Sequence, residues 1–296
     1  MKVGENMKSR VLILVGMVLL AGVLVAGCSR ASQENATNSK AVPAAPVNVF
    51  VSILPQADFV QKIGGEKVRV AVMIPPGANP ASYEPSPAQL KDLAHADLYL
   101  QVGNLPFEEA WMERIKSTNS NMLVVDTSQS ITIVDDNPHT WLSPRLVKIQ
   151  AQNIYEALVE VDPQNRSQYQ EGYRSFVQQL DGLDEEIAST LAGVKGKTFI
   201  VFHPAWGYLA SDYGLKELAI EHEGKEPGAR ELSAIVAQAH AAGIKNIFAS
   251  PQHSTHSADA LARELGGKVM LIDPLPRDYI KTMQENAQVL AKGISD

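Results

Sequence analysis

Cysteine is nearly absent: Cys28 is the only one in 296 residues. The chain therefore cannot build a disulfide framework, and no cluster of thiolates is available to hold a metal. Any metal site has to draw on imidazole nitrogen and carboxylate oxygen. Aromatic residues are sparse at 6%, and 26 basic residues fall short of 33 acidic ones, for a formal charge of -7. The first 27 residues are themselves basic, with Lys2, Lys8 and Arg10 against Glu5, so the rest of the chain carries -9. An acidic body of this kind suits neither nucleic acid nor an anionic lipid surface. The apolar run from Val11 to Ala26 is shorter than the roughly 20 residues of a membrane-spanning helix. It follows a basic segment and ends in small residues, which is the pattern of a signal peptide.

The end of that run, Val25-Ala26-Gly27-Cys28, resembles the lipobox of bacterial lipoproteins. The resemblance implies cleavage after residue 27 and attachment to the bilayer through an acylated Cys28, outside the cytoplasm. Residues 28–46 follow with almost no large apolar side chain and read as a tether. A flexible segment of that length spans roughly 25 Å.

From Val47 onward short β-rich runs alternate with helical ones. Val47–Ser52, Val68–Met73, Leu98–Val102 and Met122–Val125 read as strands, as do Thr198–Phe202, Leu218–Glu221, Asn246–Ala249 and Val269–Ile272. Ser86-Pro87-Ala88-Gln89 is a helix start, with the cap, N1 proline and N3 glutamine in place, and Ser143-Pro144 is a second. Between residues 163 and 193, Tyr169, Tyr173, Phe176, Leu180, Leu183, Ile187 and Leu191 recur at spacings of three and four. That spacing predicts one continuous helix with a buried stripe. The expected fold is α/β: a lobe over 47–162, a linking helix over 163–193 and a second lobe over 194–296, with mainly parallel sheets.

Two residues stand where open α/β sheets bind ligands, beyond the carboxyl ends of strands. His203 follows the apolar run Thr198–Phe202, and Asp273 follows Val269–Ile272. His139 lies in an irregular stretch just before the Ser143-Pro144 helix start. Prolines at 138, 204 and 274 stiffen all three segments. Spacing alone leaves a hydrogen-bonded structural role open for each.

Five blocks carry a family resemblance. They are Pro76-Gly77-Ala78-Asn79-Pro80-Ala81-Ser82-Tyr83-Glu84-Pro85-Ser86-Pro87, Asn137-Pro138-His139-Thr140-Trp141, His203-Pro204-Ala205-Trp206-Gly207-Tyr208, Glu223-Gly224-Lys225-Glu226-Pro227 and Ile272-Asp273-Pro274-Leu275. In this order they resemble the zinc/manganese solute-binding lipoproteins of bacterial metal ABC importers, from about Val47 to the C-terminus. The resemblance implies two α/β lobes bridged by one rigid helix, with the metal between them. It implies metal ligation by His139, His203 and Asp273, a monomer, and delivery of the ion to a membrane permease. The family's first motif usually has a histidine where this chain has Ala81. Three outcomes are open: water completes the shell, another residue substitutes, or the site is weakened or repurposed for binding or adhesion. His253, in Ser250-Pro251-Gln252-His253-Ser254-Thr255-His256, is the expected substitute. Imidazole ligands favour Zn2+, and more carboxylate would favour Mn2+.

An enzyme is the rival class, because two histidines and an aspartate could activate a zinc-bound water. The chain has no Gly-x-Ser-x-Gly turn and no His-Glu-x-x-His helix. Gly196-Lys197-Thr198 lacks the glycine a phosphate loop requires at 191, which is Leu, and precedes a strand. No catalytic residues are expected.

Overall fold

The computed structural model describes residues 45–221, 228–252 and 255–296. The acylation site Cys28, the tether before residue 45, the Glu223–Pro227 block and His253 lie outside the described residues.

Two four-stranded parallel sheets form the frame. The first contains β1 (Val47–Val51), β2 (Val68–Val72), β3 (Leu98–Gln101) and β4 (Leu123–Asp126) in the order β2-β1-β3-β4. The second contains β5 (Thr198–Val201), β6 (Lys216–Ala219), β7 (Ile247–Ala249) and β8 (Val269–Leu271) in the order β6-β5-β7-β8. Each sheet starts from a strand, places its next strand on one side, then crosses over to the other. This repeated order leaves a switch point beside β1 and beside β5, where strand-end loops diverge and a crevice opens.

Helices cover the sheets because a parallel strand buries both faces. In chain order they are α1 (Leu54–Gly64), α2 (Pro87–Asp92), α3 (Pro106–Thr118), α4 (Pro144–Val161), α5 (Arg166–Leu191), α6 (Gly207–Tyr213), α7 (Ala229–Ala241), α8 (His256–Glu264) and α9 (Tyr279–Ser295). Both start signals operate as the sequence suggests. Ser86 and Gln89 form a reciprocal capping box, and Ser143 Oγ accepts from the Leu146 N–H at 3.1 Å. None of the described helices is long and apolar enough to cross a membrane.

α5 is the long helix that the spacing predicts. Its regular part runs over 26 residues, about 39 Å, with short 3-10 turns at Pro163–Asn165 and Ala192–Val194 on either side. It packs against α1 and α4 of the first lobe and against α9 of the second. Phe59 of α1, Phe176 of α5 and Tyr279 of α9 meet at its centre, with ring centroids 5.4 and 4.9 Å apart, and all three are fully buried. Burying a ring of this size contributes about 2–3 kcal/mol. Gly172 sits where α5 crosses α1. A β-carbon there would lie 2.3 Å from the Ile63 carbonyl oxygen, so close approach, not helix propensity, accounts for the glycine.

The sequence expectation misplaces one strand. β6 begins at Lys216 rather than Leu218, because it pairs Thr198 with Lys216 and Val201 with Ala219. Pairing with β5 sets its limits. Glu217 therefore lies within β6, and Glu221 lies just past its end.

Candidate metal site

β5 ends at Val201, and its ladder continues through backbone bonds from the Phe202 N–H to the Phe248 carbonyl and from the Glu221 N–H to the Phe202 carbonyl. This pairing brings the segment after β5 beside the segment after β6. His203 and Glu221 become neighbours, with Nδ1 3.2 Å from the carboxylate Oε2. Glu221 is buried, and His203 is about three-quarters buried. Glu217, four residues earlier and within β6, accepts the Trp206 N–H at 3.0 Å and holds the loop after His203. Burial raises the Glu217 carboxyl above its ordinary range, opposed by that N–H and by the nearby His203.

His139 is positioned differently. It lies in the long connection between β4 and α4, beyond a tight turn at Val134–Asn137. The Asn137 N–H bonds to the Val134 carbonyl at 3.0 Å, and both central residues, Asp135 and Asp136, have left-handed φ angles of 51° and 52°. That is the pattern of a type I′ turn. Asn137 then accepts twice through Oδ1, from the His139 N–H at 3.0 Å and at His139 Nδ1 at 2.6 Å. The two imidazoles, one from each lobe, stand edge to face with centroids 5.3 Å apart. On its other side the His139 ring lies 5.0 Å from Trp141.

Asp273 sits two residues beyond β8. Its Oδ1 accepts from Gln252 Nε2 at 2.8 Å and from the Leu275 N–H at 2.9 Å, and Asn286 bonds both its backbone N–H and its carbonyl. The buried Trp141 donates its indole N–H to the Pro274 carbonyl at 2.6 Å, which ties the His139 segment to the Asp273 segment. The structure thus brings His139 and His203 together, and Asp273 is held by Gln252, Asn286 and the Leu275 N–H. Among the described residues no three His, Cys, Asp or Glu side chains converge closely enough to hold an ion. Ala81 is exposed, in the loop after β2, with its N–H on Asn79 Oδ1.

Sequence reasoning missed Asn137, Glu217, Glu221 and Tyr208. Asn137 had a local signal, since an Asn two residues before another residue commonly accepts its N–H. The glutamates had none, because their relation to His203 depends on how β5 and β6 pair.

Two parallel-sheet lobes, with an imidazole from each meeting just beyond the end of β5, are the architecture of a metal-binding solute receptor. Residues 49–293 match the family described as ZnuA, zinc-uptake complex component A, periplasmic. The chain belongs to this family: it is a zinc-binding solute-binding component of a metal ABC importer, extracytoplasmic and not an enzyme. It is 27% identical over 310 residues to the high-affinity zinc uptake system protein ZnuA of Bacillus subtilis (strain 168), covering 93% of this chain and 96% of that protein. The crystal structure of a ZnuA superposes with a TM-score of 0.82 at 40% identity, covering 84% of this chain and 99% of the other. A ZnuA deletion mutant with zinc bound gives a TM-score of 0.80 at 41% identity, covering 84% and 98%.

Proposed function

We propose that this protein captures Zn2+ between its lobes through His139 and His203, with Asp273 as the carboxylate ligand, and passes it to the permease while tethered through an acylated Cys28. The observation that carries this reading is the pairing of two imidazoles from opposite lobes, each with Nδ1 on an oxygen acceptor. An acceptor at Nδ1 fixes the ring proton there, so Nε2 is the nitrogen that meets the ion. Glu221 and Asn137 thereby fix the orientation and tautomer of the two rings. Asp273 completes the set by exchanging its Gln252 contact for the ion, and water or His253 takes the position that Ala81 cannot fill.

Zinc affinity, measured by competition with a calibrated chelator, tests the assignment. A structural zinc site gains about 10–16 kcal/mol from all its ligands. Removing one, by His139→Ala or His203→Ala, should cost roughly a quarter of that, or two to three orders of magnitude in Kd. Ala81→His should tighten binding. Wild-type affinity in either alanine variant would overturn the ligand assignment.

A further inference from the structure

His139 follows no strand directly; it lies two residues beyond a turn whose two central aspartates hold a backbone conformation better suited to Asn-Gly. Its geometry therefore needs support from outside the turn. Two side chains reach it. Asn104 Nδ2, from the same lobe, donates to the Asp136 carbonyl at 2.9 Å. Tyr208, on α6 of the other lobe, uses its hydroxyl twice: it accepts the Val134 N–H at 3.1 Å and donates to the Asn137 carbonyl at 3.0 Å. Val134 and Asn137 are the two ends of the turn, already joined by the Asn137 N–H to Val134 carbonyl bond. The hydroxyl bridges the two backbone groups left over, closing the open end of the turn.

The placement of Tyr208 adds to this. It follows His203 by five residues in the same short segment. Between them Gly207 lies against Asn137, where an added β-carbon would stand 3.3 Å from Asn137 Nδ2. One segment of the second lobe thus presents His203 and also grips the residue that orients His139.

We propose that Tyr208 is a positioning residue for zinc capture, setting His139 against His203 by closing the Val134–Asn137 turn across the lobes. The proposal rests on the assignment of His139 as a ligand.

The experiment compares zinc Kd in wild type, His139→Ala, Tyr208→Phe, the pair Asp135→Asn/Asp136→Gly, and the triple combination. Tyr208→Phe keeps the ring and removes only the bridging hydroxyl. It should weaken zinc binding about 10–100-fold, the usual effect of losing a partner that orients a ligand. It should also speed hydrogen exchange at the Val134 amide in the metal-free protein. Asn-Gly holds a type I′ turn without help, so in that background Tyr208→Phe should cost little. This rescue separates positioning from a general loss of folding, which a better turn sequence would not repair. Wild-type affinity in Tyr208→Phe, or a loss that Asn-Gly leaves in place, would overturn the proposal while His139→Ala still binds weakly. Wild-type affinity in His139→Ala would instead show that the ligand assignment has failed, and the positioning role with it.

Discussion

The carboxyl ends of the two sheets occupy equivalent places and are used in opposite ways. In the first lobe the strand ends are sealed by a buried polar network. Glu108 accepts the Val102 and Gly103 N–H groups at 2.7 and 2.9 Å and a bond from Ser52 Oγ, which is itself 3.0 Å from the Tyr99 hydroxyl. Gln56 links Ser52 to Thr127 in the same layer. In the second lobe the corresponding ends carry His203, Glu221 and Asp273. Each lobe has one buried carboxylate at its strand ends, Glu108 in one and Glu221 in the other, but only Glu221 faces an imidazole. The shared topology provides two sets of strand ends: one is filled with structural hydrogen bonds, and the other presents an imidazole beside a carboxylate. The first lobe's imidazole, His139, arrives instead on a long loop that Asn104 and Tyr208 prop.

The contrast can be broken most directly at Glu108. Burial raises its carboxyl to about 7 against an ordinary 4.5, partly offset by Ser52 and the two backbone N–H groups. A carboxyl raised in the folded state contributes stability below its unfolded value and loses it as pH climbs through the folded value. Unfolding free energy should therefore fall by about 3 kcal/mol between pH 4.5 and 7.5. Glu108→Gln should flatten that slope in denaturant melts and leave zinc affinity unchanged. A zinc defect in this variant would mean that the first lobe's strand ends are part of the metal site after all.

Glu221→Gln is the matching change in the second lobe. It keeps a hydrogen-bond acceptor for His203 and removes the charge, so zinc Kd should rise about 10-fold, the lower end of the range for an orienting partner. Thermal stability without metal should hardly move. If stability falls and affinity does not, Glu221 is only a structural neighbour.

The smallest effect is expected at the joint between the lobes. Ser143 caps α4 and donates to Asp212 of α6 at 2.5 Å. Ser143→Ala should cost about 1 kcal/mol, typical of a lost cap, read as a lower melting temperature. A change in zinc affinity larger than the change in stability would make this joint part of capture.

Much of the fold was legible because strands and helices alternate with short connections and because the α5 stripe holds its spacing through Leu191. Cap residues marked the starts of α2 and α4 for a local reason: the bond runs only three residues ahead. The errors came where partners decide. The limits of β6 depend on β5, and the need for glycine at 172 depends on where α1 crosses α5. The site divides in the same way. The places of His203 and Asp273 just past β5 and β8 were legible because each follows an apolar strand-forming run directly. What holds the His203 ring and braces the turn before His139 lay beyond reach, since the Nδ1 partner of His203 is 18 residues away and the Tyr208 hydroxyl is 74 residues from Val134.

Tyr279 has a consequence for how the chain is made. Its ring fills the space against Phe59, its hydroxyl donates to the Trp141 carbonyl at 2.7 Å, and its N–H bonds Asp58 at 3.1 Å. The first lobe's core is therefore finished by a residue synthesised long after that lobe's last strand. At the usual 5–20 residues per second, the nascent first lobe waits on the order of 10 seconds with that seam open. The first lobe reaches its final packing only once α9 has been made, which ties completion of that core to the C-terminal end of the chain.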